Sequence, residues 1–209
     1  RMIEEDQLAS VIFWGPPGSG KTTLARIIAE RTQSFFLSYS AVTSGLKEMR
    51  EVMRAARERR RRYGRKTILF IDEVHRFNKA QQDAFLPYVE TGDVTLIGAT
   101  TENPSFEVIS ALLSRSKVFV FQTLGDSEIA AVLKRALEKD PVLTGMGVAL
   151  DEEALGLIVT SSDGDARRAL NTLETAALMT EPAEDGKRTA GVGEVERATQ
   201  RKAPAYDKD

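Results

Sequence analysis

The run GPPGSGKT, Gly15 to Thr22, constrains this chain more than any other stretch. It matches G-x-x-x-x-G-K-[ST] at every fixed position. Before it stands the apolar run VIFW (11–14), and after it Leu24, Ile27 and Ile28 recur at helical spacing. A strand stopped by Gly-Pro-Pro-Gly and followed at once by a helix is the context the motif requires. Glycines let successive backbone N–H groups turn inward around phosphate oxygens, and the helix N-terminus adds its partial positive charge. Gly15, Pro16, Pro17, Gly18, Ser19, Gly20, Lys21, Thr22 and Thr23 are therefore the expected phosphate cradle. Lys21 is expected to reach the β- and γ-phosphates of ATP, and the Thr22 hydroxyl to ligate Mg²⁺.

A second stretch, ILFIDEVHRFNK (68–79), carries four apolar residues straight into two adjacent carboxylates, Asp72 and Glu73. Burying an unpaired carboxylate costs several kcal/mol, so a cation must wait there. In sheets of this kind ligands bind beyond the carboxyl ends of the strands, where both acids stand. Successive strand residues point to opposite faces, so the two acids need not share one task. The economical assignment gives Asp72 to the Mg²⁺ shell through water, and gives Glu73 the water that attacks the γ-phosphorus.

The remaining pattern alternates. FFLSY (35–39), TILFI (67–71), TLIGATT (95–101) and VFVF (118–121) read as strands. Helical periodicity begins near Leu46, where Leu46, Met49, Met53 and Ala56 share a face, and recurs over 78–90 and about 108–113. Strands without internal alternation, separated by helices, imply a parallel sheet covered on both faces. After Gln122 the strand signals cease. Segments 126–139, 151–161, 165–179 and 193–200 are helical, and 181–191 is a polar loop. The expected organisation is an α/β domain over 1–122, a small helical domain over 123–200 and a polar tail over 201–209.

With no cysteine and a single histidine, thiolate and His-rich metal sites are excluded. No apolar run approaches the roughly 18 residues of a membrane helix. The net charge of −2 leaves any nucleic-acid contact to a local patch. The densest candidate is RERRRRYGRK (57–66), with seven basic residues in ten, although such a run is commonly a solvated helix end. His75 has no metal partner in the sequence and suits local hydrogen bonding. Trp14, Phe35, Phe36, Phe85, Phe119 and Phe121 read as core.

Three further residues stay open on pattern alone. Thr100 ends an apolar strand and could bond the attacking water or merely pack. Arg115 follows a short amphipathic turn, and Arg167 lies in the first turn of a helix opened by Asp163 or Asp165. Arginine is the type suited to multidentate phosphate recognition, but on sequence alone each of these is more often a surface ion pair.

The strings FIDEVHRFNKAQQDAFLP, LIGATTENPSFEVISALLSR and GDARRALN resemble the AAA+ ATPases. The wording is most similar to the replication-associated recombination protein A family, also called MgsA, with its eukaryotic Werner-helicase-interacting relatives. The resemblance runs over about residues 8 to 206. It implies an α/β P-loop core with a five-stranded parallel sheet of order 5-1-4-3-2, followed by an all-helical lid. It implies that Thr100 is sensor 1, that Arg115 is an arginine finger acting in trans, and that Arg167, rather than its neighbour Arg168, is sensor 2. It also implies a cytoplasmic, oligomeric, DNA-stimulated ATPase at stalled or damaged replication forks, nucleoid-associated if bacterial. The implied partners are single-stranded, gapped or forked DNA and a single-stranded-DNA-binding protein. Family members carry an N-terminal segment over the adenine and a C-terminal oligomerisation domain. Both are expected to lie outside this stretch, and a slowly hydrolysing monomer is compatible with what remains. The alternatives are a clamp-loader-type subunit, a non-hydrolysing scaffold, and a kinase sharing the phosphate loop. Intact Lys21, Asp72 and Glu73 argue against the scaffold, and the acid pair with GATT suits water better than another acceptor.

Overall fold

The apolar runs assemble into a parallel sheet of order β2-β3-β4-β1-β5, the expected order read from its other edge. Its strands are β1 (Ser10–Trp14), β2 (Phe35–Ser40), β3 (Thr67–Asp72), β4 (Val94–Thr100) and β5 (Ser116–Val120). Between them run α1 (Lys21–Arg31), α2 (Leu46–Tyr63), α3 (Lys79–Glu90), α4 (Pro104–Glu107) and α5 (Ser110–Leu113). The structure, a computed structural model, describes residues 9–32, 34–40, 46–183 and 186–200; the tail 201–209 lies outside them. The chain divides into two compact units, one reaching to Gln122 and the other starting at Thr123, with Pro17–Ser19 grouped with the second.

Period-two alternation sorts the strand residues onto two faces. Val11, Phe13, Ile68, Phe70, Ile97 and Ala99 pack with Ala25 and Ile28 of α1. Ile12, Leu69, Ile71 and Leu96 face the other way, onto Met49, Met53 and Ala56 of α2, Phe85 of α3 and Leu112 of α5. Each fully buried apolar side chain of this size contributes about 1.5–3 kcal/mol. Helix α3 starts at a capping box, with Asn78 accepting from the Gln81 N–H and Gln81 accepting from the Asn78 N–H. The expected helix at 108–113 is instead two single turns, α4 and α5, because Asn103 caps the first and Val108 and Ile109 are extended. Phe85 is buried as expected, whereas Phe119 on the edge strand β5 is 49% exposed, a correction to its reading as core.

The second unit holds α6 (Asp126–Lys139), α7 (Pro141–Gly145), β6 (Val148–Leu150), α8 (Glu152–Ser162), α9 (Ala166–Met179), β7 (Arg188–Ala190) and α10 (Val192–Gln200). Ile129, Leu133, Ile158, Leu173 and Val195 form its core. Aspartates open three of its helices: Asp140 caps α7, Asp151 caps α8 and Asp165 caps α9. Asp163, at φ 51°, closes α8 instead of opening α9. The unit is not all helix, since β6 and β7 pair in parallel, Val148 beside Arg188, and β7 lies within the stretch expected as a polar loop. Three-residue strands are too short to display alternation. Among the described residues no helix is long and apolar enough to cross a membrane.

One polar cluster ties α2 to the start of β4. Asp93 accepts from Arg57 Nε at 2.8 Å and Thr91 Oγ1 at 2.8 Å, with Arg60 at 3.4 Å. Burial pushes the Asp93 carboxyl up, but the hydrogen bonds from Arg57 and Thr91 and the two guanidinium charges outweigh it and hold it below the usual carboxylate range. A depressed carboxylate stabilises the fold above its unfolded value, about 3.9, and loses that contribution as pH falls through the folded value. Asp93→Asn is expected to lower stability at pH 7 by on the order of 1 kcal/mol. In urea unfolding the gap to the parent should narrow below about pH 4; a gap independent of pH would count against the ionic reading.

Candidate active site

The phosphate loop leaves β1 at Trp14 and enters α1 through Gly20. Gly18 and Gly20 hold φ of 67° and 92°, a left-handed backbone costly for residues with a Cβ. Gly15 is needed for a different reason. A Cβ there would clash with the Phe121 carbonyl oxygen, because Phe121 donates its N–H to Trp14 O at 2.7 Å and crosses directly over the loop entry. Lys21 is 8% exposed, and its ammonium donates to the carbonyls of Gly15 at 2.8 Å and Pro16 at 2.7 Å. The cation thus sits folded against the lip of its own loop.

The strand ends bring the acid pair to the same edge of the sheet. β1 pairs with β4 so that Trp14 stands beside Thr100, and β4 pairs with β3 on its other side. The Gly15 N–H donates to Thr100 O at 3.2 Å, tying the loop entry to the tip of β4. Glu73 follows β3 in the left-handed conformation, at φ 53° and ψ 51°. Its Oε2 lies 3.2 Å from His75 Nδ1, which lies 2.9 Å from Thr100 Oγ1. A continuous run of contacts therefore leads from Lys21 through Gly15, Thr100 and His75 to Glu73. Local hydrogen bonding is what the sequence suggests for His75, but nothing in the sequence names its partners. Their identity depends on β3 and β4 being neighbours.

Alternation puts Asp72 on the same face as Ile68 and Phe70, the face covered by α1, whose first turn carries Thr22. Asp72 Oδ1 accepts the Glu73 N–H at 3.2 Å. Among the described residues no group of three or more His, Cys, Asp or Glu could hold a metal unaided. A hydroxyl and one carboxylate on a shared face instead fit Mg²⁺ that takes its other oxygens from phosphates and water. The donor set therefore fits the expected ion.

The arginines are placed elsewhere. β5 runs parallel to β1 with Ser116 beside Ser10, so Arg115 stands at the amino edge of the sheet, at the opposite end from Gly15. It pairs with Glu90 at 2.7 Å, both side chains 43% exposed, and donates to Ala111 O. Arg115 is thus not brought to the phosphate loop of its own chain. Arg167 and Arg168 open α9 in the second unit, their N–H groups bound to Asp165 Oδ1 at 2.9 and 3.1 Å and their side chains exposed.

The basic segment divides by partner. Arg57 and Arg60 are committed to Asp93, and Arg57 also lies 4.6 Å over the Tyr88 ring. Arg59 stacks 3.7 Å over Phe35 and donates to Thr67 Oγ1. Earlier on α2, Lys47, Arg50 and Arg54 are exposed, as is Arg61 beyond the paired residues. At 3.6 residues per turn these four fall within about 60° of the helix circumference and span about 21 Å. This stripe begins ten residues before the run that stands out by composition.

The AAA family profile, ATPase family associated with various cellular activities, matches residues 11–124, and the AAA C-terminal domain profile matches 144–209. The replication-associated recombination protein A of Escherichia coli K12 is 54% identical over 189 residues, covering 90% of this chain and 42% of that protein. The ATPase WRNIP1 of Dictyostelium discoideum is 48% identical over 176 residues, covering 84% of this chain and 20% of its own length. Among solved structures the RuvB Holliday junction branch migration motor of Thermotoga maritima superposes with a TM-score of 0.71 at 28% identity, covering 92% of this chain and 61% of that one. The chain thus spans less than half the length of these curated relatives.

Gly15→Ala should destabilise the protein by about 1–3 kcal/mol, because the added methyl overpacks against backbone that cannot yield cheaply. Gly20→Ala meets no atom within 4 Å and should cost only the strain of its positive φ. Urea midpoints of the two variants measure the difference; equal costs would show that the Phe121 crossing does not demand glycine at position 15.

Proposed function

The chain belongs to the replication-associated recombination protein A family of AAA+ ATPases, and from this we propose that it binds ATP with Mg²⁺ and hydrolyses it to ADP and phosphate, stimulated by DNA. The observation that carries the reading is the run of contacts from Lys21 through Gly15, Thr100 and His75 to Glu73. A cation for phosphate and a carboxylate for water meet at one edge of one sheet.

In this reading the loop 15–23 cradles the phosphates with its N–H groups, and Lys21 exchanges the carbonyls of Gly15 and Pro16 for phosphate oxygens. Thr22 and Asp72 would hold Mg²⁺, Asp72 through water, and the ion would supply positive charge against the phosphate oxygens. Glu73 takes a proton from the attacking water, the new P–O bond forms, and the bond to the ADP oxygen breaks. Thr100 holds that water from the β4 side. Arg115 serves the site of a neighbouring copy, which suits its place at the far edge of the sheet and requires the Glu90 pair to open. Arg167 reports the γ-phosphate state to the lid. Residues 1–122 are the nucleotide domain and 123–200 the lid.

The wider role we assign is remodelling of stalled or damaged replication forks by a cytoplasmic homo-oligomer, with single-stranded-DNA-binding protein as an associate. The DNA surface we favour is the stripe Lys47, Arg50, Arg54 and Arg61, not Arg57, Arg59 or Arg60, whose charges are already engaged within the fold. Replacing the four by glutamine should reduce the log–log salt slope of DNA binding by about 0.7–0.9 for each phosphate that is no longer neutralised. An unchanged slope would remove the stripe from consideration.

The catalytic reading is tested by ATPase assays of the full-length protein with and without single-stranded, gapped and forked DNA. Glu73→Gln should bind ATP normally and lose about 10²–10⁴-fold in turnover, the ordinary contribution of a general base. Lys21→Ala should lose nucleotide affinity. Hydrolysis by Glu73→Gln at the parent rate would refute the general-base assignment.

A further inference from the structure

The hydrogen bonds around Thr100 settle which nitrogen of His75 carries the proton. A deprotonated Nδ1 would aim its lone pair at the Glu73 carboxylate, 3.2 Å away, and the two would repel. Nδ1 therefore bears hydrogen and donates it to Thr100 Oγ1 at 2.9 Å, while the Glu73 carboxylate lies beside the same N–H as a close electrostatic contact. The Thr100 hydroxyl also accepts the Glu102 N–H at 3.0 Å and donates its own hydrogen to the Glu102 carbonyl at 3.2 Å. The imidazole thus bridges two oxygens that belong to different strand ends.

The backbone makes this bridge consequential. Among the described residues Glu73 is one of only two non-glycine positions at positive φ, a conformation that costs roughly 1–2 kcal/mol. The strained turn is held from behind: the Arg76 N–H donates to Glu73 O at 2.9 Å, and Val74 is completely buried. The Glu73 side chain itself is 39% exposed and has no core packing to fix its rotamer. Among the described residues its position rests on one polar contact, to His75, whose side chain is only 17% exposed.

We propose that His75 is the positioning residue for Glu73, the positive edge of its Nδ1–H drawing the carboxylate beside the Thr100 hydroxyl so that both oxygens address a single water. The proposal deepens the hydrolysis reading above and rests on it. A carboxylate free to rotate away would still leave the nucleotide bound, because the imidazole's partners are Thr100 and Glu73 and the phosphates are held by the loop. The expected signature is therefore a loss in kcat with little change in KM.

The experiment is steady-state hydrolysis by the full-length protein carrying His75→Ala, His75→Leu or His75→Asn, each with and without Glu73→Gln. Alanine and leucine should lower kcat by about 10- to 100-fold, the scale of a misplaced reacting group, and leave KM within about twofold. Asparagine places an N–H near the Nδ1 position and should retain kcat within about fivefold of the parent. In the Glu73→Gln background the histidine substitutions should cost nothing further, because the carboxylate they position is gone. Should the alanine variant fail to fold, the comparison of leucine with asparagine at matched Tm carries the test. Parent kcat in His75→Leu, equal losses in leucine and asparagine, or full additivity with Glu73→Gln would each overturn the positioning role. Parent-rate hydrolysis by Glu73→Gln is a separate outcome: it removes the hydrolysis reading itself, and the positioning role with it.

Discussion

Parallel pairing of β1 with β4 is the constraint on which the site depends. It sets Trp14 beside Thr100, and the Gly15 N–H closes the ladder on Thr100 O just where the phosphate loop begins. A slip of one residue would turn Thr100 to the opposite face, where Phe13, Ile68 and Phe70 of the other strands pack. The apolar faces resist such a slip, because every strand residue from Val94 to Thr100 is buried. Core packing therefore holds the register, and the register holds the loop, Thr100 and the acid pair at one edge.

The same economy governs the charges. α2 commits Arg57 and Arg60 to the buried Asp93 and Arg59 to Phe35 and Thr67, anchoring the helix to the sheet at its far end. What remains outward is the stripe Lys47, Arg50, Arg54 and Arg61, with the exposed Glu51 and Glu58 along its flank. One helix thus divides its cations between folding and solvent, and density of charge along the chain does not reveal which is which. Glu73 illustrates the opposite choice. Its backbone accepts strain, and its carboxylate meets His75 instead of core side chains, so stability is surrendered at a position with a chemical use.

Much of the architecture is legible because its signals are local. Strand runs without alternation imply a sheet covered on both faces, and α1 on one side with α2 and α3 on the other is that arrangement. The capping asparagine of α3 and the aspartate of α9 stand where sequence reading expects a helix to open. The β6–β7 pair is not legible because three residues cannot carry a period. Phe119 reads wrongly as core because strand composition does not tell an edge strand from a central one.

By itself the sequence determined the loop, the acid pair, the alternation of strands and helices, and the family, since each is written in residues close together along the chain. Only the tertiary structure decided that His75 joins Glu73 to Thr100, that Arg115 stands at the far edge from its own loop, and which arginines of α2 are already engaged. Those facts depend on which strands are neighbours and which helix face meets the sheet. Such pairings are fixed by burial summed over the whole core, and no local spacing encodes them.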